Sequence, residues 1–125
     1  MSTDAPEPGA DLDLDALVPS WLTLPEVAER IGAGVPRVRQ LIAEHALVAV
    51  RRHGVLAVPV GLLDGDHPVK GLHGLLTLLA DGGYSDAEAI RWLFTADDSL
   101  PGTPVQALAD NRGGEVKRRA QALAI

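Results

Sequence analysis

The chain has 125 residues, 46% of them hydrophobic, enough for one domain or for one small domain with an appendage. It contains no cysteine, which excludes a disulfide framework and a thiolate zinc site, and its four aromatic residues leave the core to Leu, Val, Ala and Ile. The net charge of −6 weighs against strong non-specific nucleic-acid binding, and no apolar run is long enough to span a membrane, so a soluble cytoplasmic protein is expected.

Residues 1–20 carry five carboxylates and no basic residue and are expected to form an acidic disordered tail. Within it, Asp11 to Asp15 alternates charge with leucine, and Leu17 to Trp21 is expected to pack onto the first helix. Thr23 and Glu26 then form a Thr-x-x-Glu capping box, in which hydroxyl and carboxylate each satisfy a backbone N–H left open by the first helical turn. Leu24, Val27, Ala28 and Ile31 follow at helical spacing, and Gly32-Ala33-Gly34 ends the helix. A second helix opens with Pro36, placing Val35, Val38, Leu41, Ile42 and His45 on one side and Arg37, Arg39 and Gln40 on the flanks and opposite face.

Two short helices joined by a glycine-bearing turn have the geometry of a DNA-reading helix-turn-helix. The runs Leu47 to Val50 and Val55 to Val58, separated by Arg51-Arg52-His53-Gly54, predict a β-hairpin with a basic tip. Residues 21–63 hold five arginines against three glutamates, a balance of +2 in an otherwise acidic chain. This segment is expected to be a winged helix-turn-helix DNA-binding domain. Residues 64–125, with six basic and nine acidic residues, are expected to be a C-terminal helical domain. Its elements are a turn at 64–68, a helix from Leu72 to Ala80, and a helix capped by Ser85-x-x-Glu88 and running to Phe94. A loop from Asp97 to Gly102 follows, then a short helix opened by Thr103-Pro104-x-Gln106. Gly113-Gly114 is expected to break the chain before a last helix over 115–124. The fold class is therefore mostly α with a small β-hairpin, a winged helix-turn-helix followed by a helical region.

Arg37, Arg39 and Gln40 are the candidate base readers, since Arg pairs with guanine O6/N7 and Gln with adenine N6/N7 in the major groove. Arg39 lies nearer the buried side than Gln40 and can reach phosphate instead. Arg51, Arg52 and His53 at the wing tip are the candidates for phosphate or minor-groove contact. The ordinary alternative for each is a solvated helix face or a polar turn. The four histidines show no metal-ligand spacing, and Asp64/Asp66 and Asp97/Asp98 read as loop carboxylates. Trp92 and Phe94, aromatics at helical spacing, are expected in the core. No catalytic constellation, metal site or cofactor motif is present in the sequence, which is not expected to be an enzyme.

Residues Leu22 to about Leu63, with Leu22-Thr23-x-x-Glu26-x-Ala28-x-x-x-Gly32 at their start, resemble the winged helix-turn-helix of the MerR/excisionase superfamily. That family's wings often carry further basic residues on the second strand, where this chain has Val55-Leu56-Ala57-Val58. The departure predicts fewer phosphate contacts. A resemblance over most of the chain is to small actinobacterial winged helix-turn-helix DNA-binding proteins that are substrates of the mycobacterial Ser/Thr kinase PknL. Residues 47–52, 74–84, 91–94 and 118–122 carry it. It implies a DNA-binding regulator whose partners are double-stranded DNA and a Ser/Thr protein kinase, with Thr3 the candidate phosphorylation site. A homodimer built on the C-terminal helices is a further expectation. Trp92-Leu93 followed by Leu100-Pro101-Gly102-Thr103-Pro104 also resembles the toxin-binding region of Xre/MbcA/ParS-type antitoxins. That likeness implies an alternative function, a protein-interaction module on a helix-turn-helix scaffold.

Overall fold

The computed structural model describes residues 14–97, 100 and 102–123. Residues 14–17 form a helical turn, and Leu14 and the following Val18 are both buried in the core. The expected disordered tail therefore does not reach residue 20. Two apolar side chains one turn apart are enough to draw its last residues onto the domain.

Strand β1 (Trp21–Thr23) leads into α1 (Leu24–Ile31), and α2 (Val35–Ala43) follows. The Thr23–Glu26 capping box forms as the sequence predicts: the Thr23 N–H donates to Glu26 Oε1 at 2.7 Å, and the Glu26 N–H to Thr23 Oγ1 at 3.4 Å. Gly32 closes α1 at φ 73°, a left-handed conformation that glycine adopts without a Cβ penalty. Strands β2 (Val50–Arg52) and β3 (Val55–Pro59) make the wing. The hairpin is tighter than its sequence suggested. Its turn is the dipeptide His53-Gly54, with φ of 54° and 81°, the pair of positive angles a type I′ turn demands. The first apolar run contributes only Val50 to β2; the Ala46 and Leu47 N–H groups both bond back to the Leu41 carbonyl, so Leu47 to Ala49 are buried without pairing.

The sheet also has a third strand, which the sequence pattern does not show. β1 pairs antiparallel with β3, Trp21 opposite Pro59 and Thr23 opposite Ala57, giving the sheet order β1-β3-β2. The chain then makes a 3-10 turn (Val60–Leu62) and a small second hairpin, β4 (Leu63–Asp64) with β5 (His67–Pro68), where only a turn was expected.

The C-terminal region comprises α3 (Leu72–Asp81), α4 (Asp86–Leu93), α5 (Pro104–Ala109) and α6 (Gly113–Leu123). Capping boxes at Ser85–Glu88 and Thr103–Gln106 start α4 and α5. The expected break at Gly113-Gly114 does not occur, and both glycines form the first turn of α6. Burial of Val116 and Ala120 outweighs the cost of about 1 kcal/mol per glycine in a helix. α3 packs on α4 and α6, and α5 on α4 and α6. Trp92 is half-buried at the edge of the core, whereas Ile90, Leu93 and Phe94 are buried within it. One continuous apolar cluster runs from Leu14 to Ala120 and joins the two halves.

Candidate nucleic-acid interface

Helix α2 buries Val38 and Leu41 against α1 and turns Arg37, Arg39, Gln40 and Glu44 to solvent. On that face the polar side chains are chained together. Arg37 Nη1 donates to Gln40 Oε1 at 3.0 Å, and Gln40 Nε2 donates to Glu44 Oε2 at 3.1 Å. Both ends of the Gln40 amide are thus engaged in the free protein. Arg39 lies off this row and faces the wing. Together with Arg51 it lines a groove of about 330 Å³ whose apolar lining includes Leu24, Val35 and Val55. Val55 is 52% exposed, so the wing offers a hydrophobic side chain beside its cations.

The structure separates the two wing arginines. Arg51 is exposed, its Nη1 donating to the Gly54 carbonyl at 3.2 Å across the turn. Arg52 is 8% exposed and cannot serve as the phosphate contact expected of it. Its guanidinium is ion-paired with the Asp15 carboxylate and lies over the Trp21 ring, 4.8 Å from the centroid. The strand alternates faces, so of two adjacent arginines only one points to solvent. That alternation was the available signal in the sequence. Asp15 and Trp21, which complete the cluster, were not singled out there. His53 is exposed at the tip of the turn. Thr3, the candidate phosphorylation site, lies outside the described residues.

Two capping glutamates have carboxyls held below their ordinary range. The backbone N–H of Thr23, and secondarily its hydroxyl, hold the Glu26 carboxyl below the usual range. Ser85 does the same for Glu88, again chiefly through its backbone N–H. Among the described residues no group of three or more His, Asp or Glu side chains is placed to hold a metal ion. No helix among them is long and apolar enough to cross a membrane.

Residues 10–63 match the family described as "DNA-binding protein Rv2175c, wHTH domain", and residues 69–124 match "Rv2175c C-terminal domain of unknown function". A curated relative, "DNA-binding protein Rv2175c" of Mycobacterium tuberculosis (strain ATCC 25618 / H37Rv), is 45% identical over 130 residues, covering 94% of this chain and 88% of the relative. A solved structure, "NMR structure of Rv2175c", agrees with a TM-score of 0.77 at 39% identity, over 100% of this chain and 85% of that one.

Proposed function

Because the chain belongs to the Rv2175c family and carries its winged helix-turn-helix, we propose that it binds duplex DNA and acts as a transcriptional regulator. Helix α2 enters the major groove and the wing follows the adjacent backbone. One observation carries this reading: Arg39 of α2 and Arg51 of the wing line the same groove. Two guanidiniums from different elements, above an apolar surface, suit a strand that presents phosphate to the cations and deoxyribose to the floor. Arg37 and Gln40 read base edges once their internal hydrogen bonds are exchanged for contacts with DNA.

Arg52 contributes to this function by holding the wing, not by touching the duplex. Control by a Ser/Thr kinase belongs to the same reading. A phosphate on Thr3 adds about −1.5 to −2 charge to an acidic segment and opposes the approach of DNA. The deciding experiment is fluorescence anisotropy of a labelled duplex with the full chain across a salt series. A folded protein that fails to bind duplex at low ionic strength would refute the proposal.

A further inference from the structure

A second cleft, of about 200 Å³, opens at the C-terminal end of α2, where it meets the C-terminal region. Ile42 and Leu47 line it on the winged-helix side, and Leu76 and Ala89 on the side of α3 and α4. Leu47, Leu76 and Ala89 are buried, so the floor is apolar. His45 lies in the wall after the end of α2, and Tyr84 and Asp86 in the wall at the start of α4; His45 and Asp86 are both exposed. Glu88 is committed to the Ser85 capping box, whereas the Asp86 carboxylate has no ion-pair partner among the described residues.

We propose that this cleft binds a small protonated aromatic amine, and that its occupancy strengthens DNA binding. The volume sets the size of the ligand. A cavity of about 150 Å³ accepts benzene, so this one takes a single six-membered ring with a short arm. The ring rests among Leu47, Leu76 and Ala89. The arm carries its ammonium to Asp86, whose fixed negative charge selects a cation over a neutral or anionic molecule of the same shape.

The coupling follows from which elements make the walls. A ligand touching both Ile42 and Leu76 favours the arrangement in which α2 is held against the C-terminal region. DNA also engages α2, so part of the ordering that its binding requires is already paid when the cleft is filled. Coupling is reciprocal, so DNA must tighten the amine by the same factor. This second half rests on the DNA reading above; the amine site does not.

The test titrates the full chain with phenethylammonium chloride, following backbone amide shifts by NMR, with 3-phenylpropionate as the anionic control of similar shape. Saturable shifts are expected at residues 42–48, 76–80 and 84–89, and the carboxylate should bind at least fivefold more weakly. Ala80→Phe, which fills the rim from an exposed position, should abolish the shifts. Asp86→Asn should weaken binding about fivefold, with circular dichroism confirming that both variants fold. At matched ionic strength, saturating amine should lower the duplex Kd about three- to tenfold in the parent chain and, at about fivefold higher amine, in Asp86→Asn, and should leave it unchanged in Ala80→Phe. Shifts scattered over the surface, equal binding of the carboxylate, or full binding by Ala80→Phe would overturn the site. Saturable amine binding with unchanged duplex affinity would overturn the coupling. Absence of duplex binding with and without amine, while the amine shifts persist, is failure of the DNA reading and removes the coupling with it.

Discussion

Asp15 and Arg52 form an ion pair that fastens the segment before β1 to β2, the first strand of the wing. The Arg52 side chain crosses β3 to reach Trp21 on β1, so one guanidinium spans the width of the sheet. Removing one partner of a fully buried pair costs about 3–5 kcal/mol. Asp15 is 54% exposed on its side chain, so solvent screens much of that. Asp15→Asn is therefore expected to destabilise the protein by about 1–2 kcal/mol. Arg52→Lys keeps the charge but loses the planar stack on Trp21, at about 1 kcal/mol. Urea denaturation measures both, and an Asp15→Asn variant as stable as the parent would show the pair to be energetically idle.

The salt dependence of duplex binding counts the arginines that reach phosphate. With Arg52 withdrawn from the surface and Arg37 given to base edges, Arg39 and Arg51 remain, and each phosphate neutralised contributes about −0.9 to the slope of log K against log[salt]. A slope of about −2 is expected. Arg51→Ala should flatten it by about one unit, while Arg52→Lys should leave it unchanged. A slope that flattened with Arg52→Lys would return that residue to the interface.

Gln40 must give up two internal hydrogen bonds before it can pair with adenine. Glu44 holds one of them and also places a carboxylate on the face that meets phosphate. Glu44→Ala is expected to tighten duplex binding several-fold at low salt, an effect that fades as salt screens it. Gln40→Ala should instead relax sequence preference at one base pair by about 1–3 kcal/mol. Selection of binding sites from a random pool separates the two outcomes. Unchanged preference in Gln40→Ala would make this residue part of the solvated face.

The three capping boxes were legible in the sequence because their partners are three residues apart and the chemistry is local. Strand β1 was not, since its partner β3 begins more than thirty residues later and Trp21–Thr23 has too few residues to show alternation. The same distance hid the Asp15–Arg52 pair, which only folding brings together. The rule that separates Arg51 from Arg52 was available, because adjacent strand residues face opposite ways. Reading Arg51-Arg52-His53-Gly54 as a loop concealed it. At Gly113-Gly114 local propensity pointed the wrong way, and burial of Val116 and Ala120 decided the helix.

Those caps make a pH prediction. Glu26 and Glu88 have depressed folded pKa values, from the Thr23 and Ser85 N–H groups respectively. A depressed carboxyl contributes stability above its unfolded pKa, about 4.3, and loses it as pH falls through the folded value. Below that window the boxes lose their carboxylate half. Glu26→Ala and Glu88→Ala should each destabilise the protein at neutral pH, and progressively less as pH falls through the folded value, where the parent has itself lost the carboxylate half of the box. Thermal melts across pH 3–7 measure this, and a penalty independent of pH would show that the charge of the glutamates adds nothing.

The joint between the two halves rests on a close approach of Gly61 and Phe94. A Cβ at Gly61 would lie 3.1 Å from the Phe94 ring, and Phe94 is buried, with little room to retreat. Gly61 has no positive φ, so the backbone tolerates alanine and the obstacle is steric alone. Overpacking of this kind costs about 1–3 kcal/mol, and Gly61→Ala is expected in that range. Phe94→Leu shortens the side chain that would meet the new methyl, and on its own it should cost about 1–2 kcal/mol in lost burial. In the double variant the methyl occupies space the ring has vacated. The two penalties should therefore sum to more than the measured loss, with a coupling of at least 1 kcal/mol. A cycle of four urea denaturations gives that coupling directly. Strict additivity would mean that Phe94 already moves freely enough to admit a methyl, and that the joint is looser than the 3.1 Å approach implies.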